Sequence, residues 1–246
     1  MGGTTGVDQT AGADGTGSSS GVTAVLWPGE PRRKRGPRPK FSLDDVVDAA
    51  IAVADAEGLS AVTMQRVADE LGAAKMALYR YVPGKTELTA LMLDRALGLP
   101  PTDASGRWRR RLRSWTVTMH ERMSARPWTL ELTVGRRTPG PHELAWLEQG
   151  VAALRSAPLD GAERLDTLAL LANHVRGSVE QAAAIDQPET SLAESLEPIL
   201  TAHADRFPHT VAAFTEAAVT GRRDDAFDFG LERILDGVAA LIARRG

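Results

Sequence analysis

The sequence of 246 residues contains no cysteine, few aromatic residues and no long apolar run. Without cysteine there can be no disulfide, no thiolate zinc site and no cysteine nucleophile. No stretch of 18 apolar residues occurs, so we expect no transmembrane helix and no membrane partner. The N-terminus also lacks the charged start and apolar core of a secretory signal, which predicts a cytoplasmic protein. Aromatic residues make up only 5% of the chain, and this favours helices packed through small and aliphatic side chains.

Positive charge is concentrated in one segment, although the formal net charge is −3. The stretch "EPRRKRGPRPK" at 30–40 holds six cations against one anion. Its residues 32–40 are expected to form an arm, kept extended by its prolines, that binds phosphates or enters the minor groove of DNA. Arg35 and Arg38 are its candidate contacts. The alternative is a tail that only improves solubility.

The first residues have the composition of a disordered tail. Residues 1–21 are rich in Gly, Ser, Thr and Asp and cannot bury enough apolar surface to offset the entropy of ordering. The apolar stretch "VTAVLW" at 22–27 interrupts this composition. It is either an adhesive part of the tail or a short piece that docks on the folded body. We assign 1–31 to a disordered N-terminal tail.

A helical pattern begins at Ser42 and contains three short helices up to Val82. Ser42 and Thr63 are expected to cap the first two helices, and Gly72 separates the second from the third. At 100° per residue, the third helix has an apolar side and a side rich in cations and aromatics. The apolar side consists of Ala74, Leu78 and Val82, with Ala77 and Tyr81 next to them. This side is expected to pack against the first two helices. The other side, made of Lys75, Met76, Tyr79 and Arg80, has the composition of a DNA recognition helix. The alternative is a solvated helix face.

The rest of the chain also shows helical periodicity, and no alternating strand pattern of useful length appears. Breakers such as Pro127, Pro188 and Pro208 separate helices expected at about 107–124, 128–135, 141–156, 161–185, 190–205, 208–220 and 226–244. The predicted fold is therefore all-α. We assign 32–97 to a basic arm and a three-helix helix-turn-helix domain for DNA binding, and 98–246 to a larger helical domain.

Residues 41–97 resemble the N-terminal domain of the tetracycline-repressor (TetR) family of bacterial transcriptional regulators. The resemblance rests on "GLSAVTMQRVADELG" and above all on "ALYRYVPGKTEL". The segments 124–148 and 227–242 are similar to the ligand-binding domain of TetR-like repressors. The resemblance implies a homodimer that binds a palindromic double-stranded DNA operator and is released by a small-molecule inducer. It further implies that 98–246 carry ligand binding and dimerisation, and we expect no cofactor and no metal.

The resemblance also implies roles for individual residues. Lys75, Met76 and Ala77 would meet bases, and Tyr79, Tyr81 and Lys85 would hold phosphates. Gln65 would reach a base edge or a phosphate, and Thr63 a phosphate. Because Met76 and Ala77 offer no hydrogen bond, base readout is expected to depend on Lys75, Arg80 and Gln65. Position 74 is often Ser or Thr in the family, so Ala74 leaves the recognition helix without a side-chain cap.

The C-terminal region offers candidate ligand residues with an open alternative. Trp115, His120, Trp146 and His174 are the predicted pocket residues, whereas core packing is the alternative for the tryptophans and a satisfied hydrogen bond for the histidines. The apolar stripe of the last helix predicts either a dimer interface or intrachain core. In "RWRRRLR" at 107–113, a solvated face is the expectation. The alternatives are contact with DNA and pairing of Arg107 and Arg111 with carboxylates of the N-terminal domain. The competing function is a DNA-binding protein without an inducer. An enzyme that uses the C-terminal helical cavity is disfavoured, because no nucleophile, zinc-protease or nucleotide-binding motif is present.

Overall fold

The computed structural model describes residues 16–29, 40–102, 106–185, 187–220 and 225–245. No strand occurs in these ranges, so the prediction of an all-α protein is confirmed. A 3-10 turn, Leu59–Ala61, joins the second and third helices. In chain order the α-helices are α1 Thr16–Leu26, α2 Leu43–Glu57, α3 Met64–Glu70, α4 Lys75–Leu78, α5 Lys85–Leu97, α6 Trp108–Ala125, α7 Thr129–Leu132, α8 Pro141–Ala153, α9 Gly161–Ala184, α10 Pro188–Ala202, α11 Pro208–Thr220 and α12 Ala226–Arg245.

The predicted caps explain where α2 and α3 begin. The Ser42 hydroxyl accepts from the Asp45 N–H at 3.1 Å, and the Asp45 carboxylate accepts from the Ser42 N–H at 2.7 Å. This capping box satisfies two orphan donors, and the Ser42 backbone N–H holds the pKa of Asp45 below its usual value. The Thr63 hydroxyl accepts from the Arg66 N–H at 3.0 Å. Both predicted caps are therefore confirmed.

The chain forms two compact units. The N-terminal unit comprises Met1–Asp94 and Gly135–Pro141, and the C-terminal unit comprises Arg95–Val134 and His142–Gly246. The sequence had placed 135–141 in the C-terminal domain, but this segment packs with the N-terminal unit. The composition of 135–141 does not predict this packing, because it depends on residues that are distant in the chain.

The N-terminal unit is built around a small helical core. Helix α3 contacts both α2 and α4, and the 3-10 turn contacts α2. The apolar positions expected from the periodicity are buried, among them Val46, Val47, Ala50, Ile51, Val67, Leu78 and Val82. Burial of these side chains from water is the main term that holds α3 and α4 in place, since helices of seven and four residues are unstable alone.

The N-terminal tail departs from its predicted disorder within the described residues. Residues Thr16–Leu26 form α1, and Val22 and Leu26 are buried. Trp27 then donates its indole N–H to the Pro139 carbonyl at 3.1 Å. The prediction of a disordered tail is therefore wrong for 16–29, and the docking alternative for 22–27 holds. The apolar stretch finds partners that composition alone could not reveal.

The C-terminal unit is organised by contacts among α6, α9 and α12. Helix α9 begins with a capping box between Asp160 and Glu163. The three helices share one apolar cluster that includes Leu112, Leu168, Leu171, Leu231 and Leu235. The helix expected over 128–135 is reduced to α7, four residues long. Helices α10 and α11 contact each other, and none of their residues is buried.

The arginine-rich start of α6 is engaged by carboxylates of α12. Arg109 contacts Glu232 at 2.6 Å and Asp236 at 2.7 Å, and Arg113 contacts Glu232 at 3.0 Å and Asp228 at 3.2 Å. Hydrogen bonds from Arg109 and then Arg113 lower the pKa of Glu232. Both arginine side chains remain partly solvated, as expected, but they are also paired, because three carboxylates four residues apart form one stripe on α12.

Arg111 of the same arginine run has a hydrogen-bond partner within the C-terminal unit. Its guanidinium donates to the Ala152 carbonyl at 3.2 Å. Arg107 is exposed. In the described part of the chain, no helix is long and apolar enough to cross a membrane.

Candidate nucleic-acid interface and ligand region

Gly72 makes the turn that sets α4 against α3. Its φ of 59° lies in the left-handed region, which glycine adopts without the penalty of a Cβ. The Ala73 N–H donates to the Ala68 carbonyl at 2.9 Å and closes the end of α3. Helix, left-handed turn and second helix form the predicted helix-turn-helix. The second helix is shorter than expected, since α4 ends at Leu78 and 79–81 continue as a turn.

The two sides of this segment separate as predicted, with one exception. Leu78 and Val82 are buried at 1% and 0% exposure, whereas Met76 is 73% exposed and Tyr79 39%. Lys75 and Arg80 are also exposed. Ala74 is exposed too, so its predicted packing role is wrong. The reason is that Ala74 precedes the helix in an extended conformation, with φ −72° and ψ 137°, where the helical spacing does not apply.

The cations of this surface are not neutralised by nearby carboxylates. Among the residues that the structure describes, no acidic group forms an ion pair with Lys75, Arg80 or Lys85. Arg66 differs, since Glu57 and Glu70 accept from its guanidinium and raise its pKa. We call Lys75, Met76, Tyr79, Arg80 and Lys85 the basic face. Unpaired cations beside an aromatic hydroxyl can contact phosphates without first breaking an internal bond.

The other predicted DNA-contacting residues differ in exposure, and two of them lie outside the described residues. Gln65 is exposed, and its amide donates to the Asp69 carboxylate at 2.8 Å. Thr63 is exposed, and its hydroxyl keeps a donor while it caps α3. Ala77 and Tyr81 are half-buried. Arg35 and Arg38 lie outside the described residues.

Two of the predicted ligand residues, Trp115 and Trp146, are packed in the core of the C-terminal unit. Their exposures are 4% and 2%, and their rings meet edge to face at 5.6 Å. The Trp115 indole donates to the Trp146 carbonyl at 2.9 Å, and the Trp146 indole donates to the Gly98 carbonyl at 2.8 Å. Core packing, the alternative that the sequence left open, accounts for both residues. A ligand contact at either one stays a prediction.

The two predicted histidines meet around a residue that sequence reasoning missed. His120 stacks on the Phe227 ring at 3.9 Å between centroids, and His174 stacks on it at 5.3 Å. The Phe227 carbonyl accepts from His174 Nε2 at 2.8 Å, and the Ser178 hydroxyl lies 3.3 Å from His120 Nε2. Burial, and then the charge of His174, lowers the pKa of His120, whereas the charges of Asp228 and Glu121 act in the opposite direction. We call His120, His174, Ser178 and Phe227 the histidine cluster.

A separate groove of about 560 Å³ lies between α10 and α11. Its walls are mainly apolar, with Leu200, Val211 and Phe214, and Glu194 and Glu197 also contribute. None of the predicted ligand residues lines it. Within the described ranges, no group of three or more acidic or histidine side chains could hold a metal ion.

These units define a class of protein. A compact helix-turn-helix unit with an exposed basic face precedes a larger, purely helical unit with its own core, and this is the organisation of a one-chain DNA-binding regulator. Residues 46–92 match the family described as bacterial regulatory proteins, tetR family. Residues 100–242 match the tetracyclin repressor-like C-terminal domain. The chain belongs to the TetR family of DNA-binding transcriptional regulators.

Individual relatives agree with this assignment. The chain is 36% identical over 248 residues to the HTH-type transcriptional repressor DrrR1 of Streptomyces coeruleorubidus, across 94% of this chain and 89% of that protein. The structure of ActR from Streptomyces coelicolor in complex with actinorhodin superposes with a TM-score of 0.70 at 26% identity, over 82% of this chain and 97% of that one. BioQ of Mycobacterium smegmatis, solved with its double-stranded DNA operator, shares the fold with a TM-score of 0.56 at 20% identity, over 82% and 99% of the two chains.

Proposed function

We propose that this protein is a ligand-responsive repressor that binds a palindromic operator as a homodimer and is released by a small-molecule inducer. The observation that carries the proposal is the basic face, which is exposed opposite the buried Leu78 and Val82 and whose cations have no carboxylate partner among the described residues. The similarity to the repressor DrrR1 supports repression as the outcome of DNA binding. Such a regulator acts in the cytoplasm, where the DNA lies.

The proposed contacts follow the chemistry of the basic face. Lys75 and Arg80 read base edges in the major groove together with Gln65, and Met76 and Ala77 make apolar contact with the bases. Tyr79, Tyr81 and Lys85 hold phosphates, as does Thr63. Arg35 and Arg38 of the 32–40 segment add phosphate or minor-groove contacts. Two copies would read half-sites about 34–36 Å apart or a multiple of that distance.

The proposed dimer uses the faces of α9 and α12 that the intrachain core leaves exposed. Leu231, Leu235 and Val238 are buried within one chain, so the intrachain alternative holds for these three residues. Leu165 and Leu170 of α9, both 50% exposed, and Phe229 of α12, 52% exposed, remain outside that core. Exposed leucines on the helix that anchors the unit support an association between copies.

The proposed inducer binds in the C-terminal unit near the histidine cluster. His120 and His174 are half-buried, so parts of both rings remain accessible. Trp115 of α6 and Trp146 of α8 pack against each other in the core of the same unit. ActR, which shares this fold, holds actinorhodin in a solved complex, and this supports a small-molecule ligand here. A ligand that binds the free protein more tightly than the operator complex must weaken operator binding by the same factor.

A footprint and gel shift on the promoter region flanking the gene would test the proposal. We expect a protected palindrome, and Lys75→Ala should weaken binding by about 1–3 kcal/mol and relax sequence preference at one position per half-site. Arg155→Ala is the matched control, since it also removes one exposed cation that has no carboxylate partner in the described part of the chain, but it lies in the C-terminal unit. Uniform coating of the DNA without a protected site, or equal effects of the two variants, would contradict specific operator recognition.

A further inference from the structure

The segment 135–141 is joined at both ends to the C-terminal unit but packs in the N-terminal one. Val134 and His142, its neighbours in the chain, belong to the C-terminal unit. Gly140 is buried, and a Cβ at this position would overlap the side chain of Asp94, which is itself 6% exposed. Any change in the C-terminal unit that pulls on either end of this segment therefore acts on α5, where Asp94 lies.

The N-terminal helix lies against α5, and the residue that follows this helix contacts the same segment. Val22 and Leu26 are buried, and Gly21 lies so close to Glu87 of α5 that a Cβ there would come within 2.8 Å of the carboxylate. Helix α1 thus packs against the start of α5. Trp27, directly after α1, donates to the Pro139 carbonyl across 112 residues of chain.

We infer that Trp27 is a positioning residue that fastens segment 135–141 to the N-terminal unit and thereby couples the state of the C-terminal unit to operator binding. This inference rests on the proposed function for its DNA readout. The indole N–H is the one side-chain donor that Trp27 has, and Pro139 offers its carbonyl in an exposed segment. Such a single directional bond fixes the segment in place without burying the tryptophan, which is 42% exposed.

The chemistry separates this role from a direct contact with DNA. Trp27 carries no charge, so its loss should change operator affinity without changing the number of phosphates neutralised. The slope of affinity against salt concentration should therefore stay the same. A residue that only stabilises α1 would alter neither segment 135–141 nor operator affinity.

Hydrogen–deuterium exchange on the full chain tests the fastening without any ligand. Trp27→Phe keeps an aromatic ring and removes the donor, and Trp27→Ala removes both. In either variant we expect the amides of 135–138 and 140 to exchange roughly five- to tenfold faster, as the loss of one hydrogen bond implies, with α2 to α4 unchanged. Phe207→Ala, an exposed aromatic at 41% in the C-terminal unit, is the matched control and should leave 135–140 as in the unmodified protein.

Titration with the promoter fragment then tests the coupling. We expect both Trp27 variants to shift the dissociation constant several-fold at an unchanged salt slope. Exchange that increases only in α1, or not at all, would overturn the inference, as would a normal affinity despite faster exchange at 135–140. If the unmodified protein binds no promoter site, the proposed function fails, and exchange alone decides whether Trp27 holds the segment.

Discussion

At the scale of single residues, Ala74 shows how one missing oxygen leaves a helix end unsatisfied. It occupies the N-cap of α4 in the extended conformation typical of caps, and its side chain makes no capping bond. Thr63, in the same position before α3, accepts from the Arg66 N–H. The two helices of the helix-turn-helix therefore differ in how firmly their first turns are held.

Ala74→Ser should stabilise the free protein by up to ~1 kcal/mol, because a serine hydroxyl would accept from a free N–H of the first turn. In a chain of this size the gain corresponds to a rise of about 2–4 °C in thermal midpoint. The control is Ala73→Ser, one position before the cap. Equal midpoints for the two variants would mean that α4 does not begin where the cap geometry places it.

His120 provides a test by pH. Its pKa is lowered mainly by burial, so in acid the unfolded chain takes up this proton before the folded one does. Stability should therefore fall as the pH drops below about 6.5, the usual histidine value, and this part of the loss should cease once the folded residue is also protonated. His120→Gln should reduce this acid dependence in thermal unfolding followed from pH 8 to 5. Parallel curves for the two proteins would exclude the histidine as its source.

At the scale of elements, the basic segment 32–40 lies in the chain between two ordered parts, α1 with Trp27 and α2. Helix α1 and Trp27 are docked before it, and Lys40 and Phe41 lead into α2 after it. The sequence predicted a free arm behind a disordered tail. A segment tethered on both sides loses less conformational entropy when it contacts phosphates, which favours binding.

Deleting 32–40 should weaken operator binding and flatten its salt dependence, with the logarithmic slope falling by about 0.9 for each phosphate that the segment no longer neutralises. Arg35→Ala with Arg38→Ala should give a smaller change in the same direction. The same two charges removed from the C-terminal unit, by Arg155→Ala with Arg206→Ala, serve as the control. An unchanged slope in the deletion variant would show that the segment only improves solubility.

At the scale of the whole molecule, the proposed activity depends on two copies of the chain. A single helix-turn-helix unit contacts too few phosphates and bases to select one site among many, and paired half-sites multiply that specificity. The exposed leucines of α9 support the place of association that we propose for two copies.

Leu170→Glu should convert a dimer to a monomer in analytical ultracentrifugation, since a charge buried in an apolar interface costs more than the apolar packing it replaces. Operator affinity should fall with it. Val134→Glu introduces the same charge at a residue that is 79% exposed and should leave the mass unchanged. If both variants sediment like the unmodified protein, α9 is not the interface.

The sequence by itself determined the helical class, the helix-turn-helix and most of the basic face, because these depend on local rules. Caps, glycine turns and a 3.6-residue period are encoded within a few positions, and so Ser42, Thr63 and Gly72 were interpretable directly. Ala74 is the exception, because it precedes α4 in an extended conformation and the helical spacing applies only within a helix.

Only the tertiary structure decided the contacts between distant parts of the chain. Trp27 with Pro139, Arg109 with Glu232, and His174 with Phe227 join residues 53 to 123 positions apart. The residues around each partner in the sequence do not predict these pairings, because each pairing depends on how whole helices pack. The packing of Trp115 and Trp146 in the core was one of two alternatives from the sequence, since burial is a property of the assembled unit rather than of the residue.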